Sequence, residues 1–128
     1  MAHAVVQWTD NLEGEFDLHA FMTLIAAEMR ERSDGVFPAG GIRVRGIKIT
    51  DYVIADGKCP DDAFINIDVL MGAGRTAEFK RAFFDRLFDR MTEFLGDLFE
   101  RRPLALSLYV SETEGWKKNS IHKRLKKA

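Results

Sequence analysis

Two closely spaced arginines are candidates for binding an anion. Arg43 and Arg45 lie in segment 42–49, where apolar and charged residues alternate as they do in a β-strand. Side chains two positions apart on a strand point to the same face, so both guanidinium groups face one region of space. Such arginines need an anionic partner, which is either a bound ligand or one of the 20 acidic residues in a surface salt bridge.

A glycine-rich segment supplies a second candidate anion site. Residues 72–77 read Gly-Ala-Gly-Arg-Thr-Ala and fit the dinucleotide-binding pattern G-x-G-x-x-[G/A]. The chain is too short for a second mononucleotide-binding half, and no acidic residue follows at the required position, so a dinucleotide site is excluded. A smaller site remains, in which Arg75 and the backbone N–H groups of a helix N-terminus bind a carboxylate or phosphate. The alternative is a plain structural turn.

The histidines and the cysteine give no sign of a metal site or a nucleophile. His3, His19 and His122 lack metal-ligand spacing, and the single Cys59 is near none of them. No local signature of a catalytic triad is present. We therefore expect neither a metal nor a cofactor.

Length and charge limit the class of protein. The chain has 128 residues, 46% of them hydrophobic, and a formal net charge of -1. This is enough apolar material for one core, and a nearly neutral chain has no overall field to attract nucleic acid or anionic lipid. Six of the 19 basic residues lie in the last twelve positions. We expect a single domain, 1–128, in which a basic tail at 115–128 is solvated or bridges subunits.

The location expected from the sequence is the cytoplasm. No run of about 18 apolar residues is present, so no membrane partner is predicted. The first residues also lack the basic and then apolar regions of a secretory signal.

Hydrophobic periodicity predicts the element order βαβ followed by βαβ. Alternating apolar residues predict four strands, at 4–9, 42–49, 64–71 and 104–110. Helical spacing predicts one helix capped by Asp17 and a second capped by Thr76, with an apolar stripe that runs from Phe79 to Leu98. A change of apolar phase across Gly46 predicts a β-bulge there.

This order indicates an α+β fold with a four-stranded sheet. Crossover connections are right-handed and return helices to the same side, so both helices should cover one face. The other face is then solvated or covered by partners. Apolar strand residues such as Phe64, Leu70, Ala105 and Tyr109 favour contacts between subunits.

Four segments together resemble a known family. They are Gly35-Val36-Phe37-Pro38-Ala39-Gly40-Gly41-Ile42-Arg43-Val44-Arg45, Met71-Gly72-Ala73-Gly74-Arg75, Leu104-Ala105-Leu106-Ser107 and Asn119-Ser120-Ile121-His122. With the opening His3 and the Asp10-Asn11 turn, they resemble the 5-carboxymethyl-2-hydroxymuconate isomerase family of the tautomerase superfamily. The resemblance spans nearly the whole chain in the right order.

The resemblance implies a β-α-β repeat that assembles as a homotrimer, with active sites at subunit boundaries. It also implies isomerisation of a small unsaturated 2-hydroxy dicarboxylate in the degradation of aromatic acids. In that family the amine of an N-terminal proline, exposed when the initiator Met is removed, acts as the base, and arginines hold carboxylates and the developing dienolate.

Residue by residue, the implied catalytic positions are Ala2, Arg43 and Arg75. Ala2 stands where the family has its proline, so loss of Met1 would leave a primary amine. The further substrate-binding candidates are Arg45, Phe37 and Gly74, and Phe37 could instead fill the core. Two other functions stay open: a trimer that binds carboxylates without catalysis, and a ferredoxin-like interaction module unrelated to the family.

Overall fold

The computed structural model describes residues 2–125, which form one four-stranded sheet and four helices. Two short 3-10 turns, Asp10–Leu12 and Ala39–Gly41, interrupt the connections. In chain order the elements are β1 Ala2–Thr9, α1 Leu18–Glu31, β2 Arg43–Ile49, β3 Ala63–Gly72, α2 Ala77–Phe94, α3 Gly96–Arg101, β4 Leu104–Thr113 and α4 Ile121–Leu125. The predicted strands and the two long helices are thereby confirmed.

The sheet has the strand order β2-β1-β3-β4. β1 lies parallel to β2, β3 lies parallel to β4, and the two central strands pair antiparallel to each other. Each βαβ half therefore contributes one parallel pair, and the halves join along the backbone of β1 and β3. This confirms the predicted α+β arrangement.

Both long helices pack on one face of the sheet, as predicted. Alternate residues of the central strands are buried beneath them, among them Ala4, Val6, Ile65 and Ile67. Asp17 caps α1 by accepting from the Ala20 N–H at 2.9 Å. Thr76 caps α2 in the same way, because its hydroxyl accepts from the Phe79 N–H at 3.0 Å.

The opposite, open face of the sheet carries a mixture of apolar and polar side chains. Tyr109 is 62% exposed there and Leu70 is 37% exposed. No helix among residues 2–125 of the same chain covers these side chains, so the open face is a surface on which another molecule can pack.

The β-bulge predicted at Gly46 is wrong. The pairing of β1 with β2 runs without interruption from His3 opposite Arg43 to Thr9 opposite Ile49. Gly46 faces α1, where an added Cβ would lie 3.1 Å from the Met22 sulfur and 3.2 Å from Leu18. The glycine therefore makes room for the helix, and the apolar phase changes because Ile47 belongs to the open face, where it is 43% exposed.

The second helix is shorter than its apolar stripe predicted. α2 ends at Phe94, and Leu98 belongs to the separate α3, which begins at Gly96. Leu95 separates them, with its N–H still bonded to the Met91 carbonyl at 3.1 Å. Glycine is a poor helix former, and the break leaves Leu95 and Leu98 both buried.

A buried carboxylate joins the two long helices. Glu28 of α1 is 6% exposed and forms ion pairs with Arg86 at 3.1 Å and Arg90 at 3.2 Å, both on α2. The two guanidinium groups reach solvent at their outer ends, with side chains 47% and 44% exposed. Glu28 thus fixes the position of one helix against the other.

We expect Glu28→Ala to lower the free energy of unfolding by about 1–3 kcal/mol, because it removes the buried partner of two arginines that can only partly return to water. Urea unfolding at one fixed protein concentration measures the change. Glu31→Ala is the matched control on the same helix, because Glu31 forms only an exposed pair with Arg30 and should change stability by less than about 0.5 kcal/mol. Equal effects of the two substitutions would contradict this role for Glu28.

Candidate functional site

The ends of three strands meet at one edge of the sheet. β1 and β2 are parallel and both begin there, and β3 is antiparallel and ends there. The register places His3 opposite Arg43 on one side, and Ala2 opposite Met71 on the other. The turn that carries Arg75 follows Met71 by a few residues, so the topology gathers all three predicted catalytic positions at this edge.

His3 and Arg43 form a hydrogen-bonded pair on the open face. An Arg43 Nη1 hydrogen is donated to His3 Nε2 at 2.6 Å. The pKa of His3 is lowered from its ordinary value of 6.5, first by burial and then by the positive charges of Arg43 and Arg45. His3 is therefore neutral at pH 7. Because Nε2 accepts the hydrogen bond from Arg43, the single ring proton of His3 is on Nδ1.

Arg45 shares this face but is exposed. It lies two residues beyond Arg43, where its charge still acts on His3. Two guanidinium groups therefore lie on the same side of β2, as the alternation of the sequence predicted.

Arg75 ties the turn after β3 to the segment before β2. Its Nη2 donates to the Val36 carbonyl at 3.3 Å, and its Nη1 donates to the Ala73 carbonyl at 3.4 Å. The Nε hydrogen is buried and has no hydrogen-bond partner among the described residues. The guanidinium also lies beside Gly72, with Nη1 3.7 Å from where a Cβ would be.

The sequence predicts that an anion binds near the N-terminus of α2. Glu112 of the same chain supplies part of this negative charge. Glu112 forms an ion pair with Lys80 at 2.6 Å. Its pKa is lowered, first by the hydrogen bond from Lys80, with further contributions from the Gly74 N–H and the charge of Arg75. Gly74 adopts a φ of 103°, a backbone conformation that favours glycine, so this residue type is needed for the turn.

Phe37 lies in the aromatic core. It is 1% exposed, and its ring meets Phe79 and Phe83 edge-on at centroid distances of 5.6 and 5.3 Å. The geometry favours the core alternative considered from the sequence. A direct contact between Phe37 and a substrate stays a prediction.

A pocket of about 620 Å³ opens beside the His3–Arg43 pair. One wall is the start of the sheet with the 3-10 turn of residues 39–41, and the other is residues 115–122, which we call the C-terminal strap. The lining residues are His3, Pro38, Gly41, Arg43, Gly115, Trp116, Lys117, Lys118, Asn119 and His122. Ala2, Arg45, Gly74 and Arg75 are not among them.

The described residues that line the pocket include three cationic side chains, Arg43, Lys117 and Lys118, and no carboxylate. An anionic ligand therefore fits this pocket better than a neutral or cationic one.

Sequence reasoning assigned no binding role to His3, His122 or the strap. The basic composition of the tail favoured a solvated or bridging end, and the Asn119–His122 run carried only the family resemblance. In the structure the strap folds back onto its own chain, since Asn119 Nδ2 donates to the Gly40 carbonyl at 2.7 Å, while Lys117, Lys118 and Lys123 stay exposed.

Comparison with known proteins now identifies the family. The family model for 5-carboxymethyl-2-hydroxymuconate isomerase matches residues 2–125. The chain belongs to this family. It is 31% identical to the 5-carboxymethyl-2-hydroxymuconate Delta-isomerase of Escherichia coli over 125 residues, which are 95% of this chain and 97% of the relative.

Solved structures agree with this assignment. A 5-carboxymethyl-2-hydroxymuconate isomerase from Deinococcus radiodurans R1 superposes with a TM-score of 0.90 at 35% identity, over 97% of this chain and 93% of that one. A fused 4-OT wild-type symmetric trimer shares the fold at a TM-score of 0.60 and 17% identity, over 91% of this chain and 93% of that chain. The protein is an isomerase of the tautomerase superfamily, which confirms the resemblance drawn from the sequence.

Within residues 2–125, no helix is long and apolar enough to cross a membrane.

We expect the His3 imidazole to titrate below pH 6.5 in the wild-type protein, and Arg43→Met to raise its pKa by removing a neighbouring positive charge. NMR titration of the imidazole resonances measures both values. Arg30→Met is the matched control, since Arg30 lies on α1 and pairs with Glu31. A His3 pKa that is equal in all three proteins would contradict the described pair.

The same shift determines the sign of a pH effect on stability. Because the pKa of His3 is lower in the folded than in the unfolded chain, the unfolded state binds more protons as the pH falls below 6.5. The titration of His3 therefore lowers the free energy of unfolding as the pH falls below 6.5. We expect this free energy to depend less on pH in the His3→Gln variant over the same range.

Proposed function

We propose that this protein isomerises a small unsaturated 2-hydroxy or 2-keto acid with at least two carboxylates, such as the 5-carboxymethyl-2-hydroxymuconate that gives its relatives their name and carries three. The observation that carries the proposal is the cationic pocket beside Arg43, whose described lining includes no carboxylate. A substrate with two or more carboxylates is complementary in charge to this lining. Membership of the family supplies the reaction class.

The proposed reaction moves one proton from oxygen to carbon. A base takes the proton of the 2-hydroxyl group, and the resulting dienolate is stabilised by adjacent guanidinium groups. The dienolate then accepts a proton at carbon from the protonated base, which leaves the 2-keto isomer. Atoms and charge balance without a metal or a redox cofactor.

We assign the base to the Ala2 amine, which becomes the N-terminus when Met1 is removed. Ala2 lies at the start of β1, opposite Met71 at the end of β3, and the guanidinium of Arg75 lies beside the next residue, Gly72. A primary α-amine has an unperturbed pKa of about 8, and nearby guanidinium groups would lower it towards the working pH. If Met1 stayed in place, the amine would move by up to about 3.5 Å and lose contact with its proton.

The arginines take the anionic parts of the substrate in this proposal. Arg43 faces the pocket directly, and Arg75 holds the neighbouring 36–38 segment and the turn beside the amine. Arg45 adds positive charge on the same face of β2. Gly74 shapes the turn that presents Arg75, and Phe37 supports the segment from the core.

A second function is a carboxylate-binding or structural trimer without catalysis. The specific observation in its favour is Ala2, because a primary amine lacks the fixed ring of the proline that the family resemblance implies at this position. The pocket and its cations would then bind a ligand that is not converted.

Ultraviolet absorbance of 2-hydroxymuconate ketonisation tests the proposal, with each N-terminus verified by intact mass. We expect turnover by the wild type, and a fall in kcat/KM of about 10- to 1000-fold in two variants. Arg43→Ala removes a pocket cation from the developing dienolate, and Arg75→Ala removes the guanidinium that holds the turn beside the amine. Arg30→Ala, on the outer surface of α1, is the matched control and should leave the rate unchanged. Turnover that appears only in Ala2→Pro would refute the isomerase assignment and support the binding trimer.

We also propose that the chain assembles as a homotrimer through the open face of the sheet. The described part of the basic tail, 115–125, would then lie close to a subunit boundary; residues 126–128 of the predicted tail lie outside the described structure. The support is the apolar part of that face, where Tyr109 and Leu70 are exposed in the single chain.

Light scattering should give a mass near three times 14.6 kDa. Tyr109→Lys places a charge on the open face and should dissociate the assembly. Phe88→Lys, at a 37% exposed position on α2, is the matched control and should stay trimeric. A monomeric wild type would contradict the assembly.

A further inference from the structure

The turn that carries Arg75 is attached to the rest of the chain from two sides. On one side, the Arg75 guanidinium donates to the Val36 carbonyl at 3.3 Å and to the Ala73 carbonyl at 3.4 Å. Both bonds are long and both acceptors are neutral, so they hold the guanidinium weakly. The Nε hydrogen is buried and has no partner among the described residues. The direction of Arg75 therefore depends on how the turn itself is held.

Glu112 of β4 holds the turn from the other side. The pairing of β3 with β4 places it opposite Met71 and continues to Gly72, where the turn starts. The Glu112 carboxylate accepts a hydrogen bond at 2.6 Å from Lys80, in the first turn of α2. Its pKa is lowered first by this bond, and the Gly74 N–H lowers it further. One carboxylate thus joins β4, the turn and the start of α2.

A carboxylate without Lys80 at this position would compete for Arg75. The positive charge of Arg75 already acts on Glu112, although the guanidinium is bonded to carbonyl oxygens and not to this carboxylate. A carboxylate binds a guanidinium more strongly than a neutral carbonyl does, because both partners are then charged. Lys80 opposes this exchange, since its ammonium group occupies Glu112.

We propose that the Lys80–Glu112 ion pair positions Arg75 for the reaction. Glu112 holds the turn through the Gly74 N–H. Lys80 neutralises that carboxylate, so that Arg75 keeps its direction. Ala2 and Glu112 pair with the same residue of β3, one on each side, so a displaced turn changes the surroundings of the assigned base. The inference rests on the proposed function, in which Arg75 holds the turn beside the amine.

Breaking the ion pair in two ways separates positioning from simple stabilisation. Lys80→Met frees the carboxylate to bind Arg75 and should lower kcat/KM for 2-hydroxymuconate about tenfold, because a misplacement of about 1 Å is enough for such a loss. Adding Glu112→Gln removes the charge that draws Arg75 away and keeps an oxygen for the Gly74 N–H. The double variant should therefore recover to within about threefold of the wild type, since an exposed ion pair contributes little by itself. A pair that only stabilised the fold would not recover in the double variant.

The hold on the turn is tested by comparing Glu112→Ala with Glu112→Gln. Alanine removes the acceptor for the Gly74 N–H, so kcat/KM should fall about tenfold. Glutamine keeps an oxygen at that position and should stay within about threefold of the wild type. Equal rates in the two variants would contradict the role of the Gly74 contact.

An NMR signal reports the position of Arg75 without turnover. The buried Nε–H of Arg75 is observed in protein that contains isotope-labelled arginine, and Arg75→Lys identifies its resonance by the loss of that signal. We expect the resonance to shift downfield in Lys80→Met, where the guanidinium gains a carboxylate, and to return in Lys80→Met/Glu112→Gln. Lys48→Met is the matched control, because Lys48 forms an exposed pair with Glu13 near the far end of β2. It should change neither the resonance nor the rate.

The rate and the resonance together separate this inference from the proposed function. An Arg75 resonance that does not move in Lys80→Met would overturn the inference, and so would a double variant that stays as slow as Lys80→Met. A wild type that converts no 2-hydroxymuconate, with a resonance that moves and returns as described, would refute the proposed reaction and leave the positioning of Arg75 standing.

Discussion

Backbone pairing of β1 on both of its sides is the constraint on which the site depends. Because β1 is parallel to β2 and antiparallel to β3, the first residues of β1 meet both the first residue of β2 and the last residues of β3. A shift of one residue in either register would turn the paired side chains to the opposite face. The His3–Arg43 contact and the approach of Arg75 to the start of the chain both follow from this pairing.

The pocket at this end of the sheet is lined by positive charges, although the protein as a whole is nearly neutral. Glu28 binds two arginines of α2, and Glu112, beside the turn that carries Arg75, binds Lys80. Arg43, Lys117 and Lys118 line a pocket whose described residues include no carboxylate. The lowered pKa of His3 reflects first its burial and then the positive charges of Arg43 and Arg45, and an anionic ligand would offset those charges.

Two glycines act here by lacking a side chain rather than by bending the backbone. Gly46 admits Leu18 and Met22 of α1, and this contact seats the first helix on the edge strand. Gly40 admits the His122 ring, and this contact places the strap over the pocket. In the sequence, Gly46 was marked only by a change in the phase of the apolar residues, which indicated a bulge that does not exist. Gly40 was marked only by its place in a segment that resembles the family.

Local sequence determined the elements of this fold, and the family resemblance determined its class. Asp17 and Thr76 cap their helices, as their positions in the sequence predicted. The alternation of apolar and polar residues in 64–71 and 104–110 correctly predicted two paired strands. Helix caps and strand alternation could be predicted because both depend on residues that are close together in the chain. The end of α2 at Phe94 escaped prediction, since the apolar stripe continues into α3 and hides the break.

The contents of the pocket were decided by tertiary structure alone. His3 lies 40 positions before Arg43, and the strap lies more than 70 positions after it, so no local pattern could show that the three converge. Composition counts the charges of the tail without placing them. Only the folding of the strap onto Gly40 shows that its residues line the same pocket as Arg43.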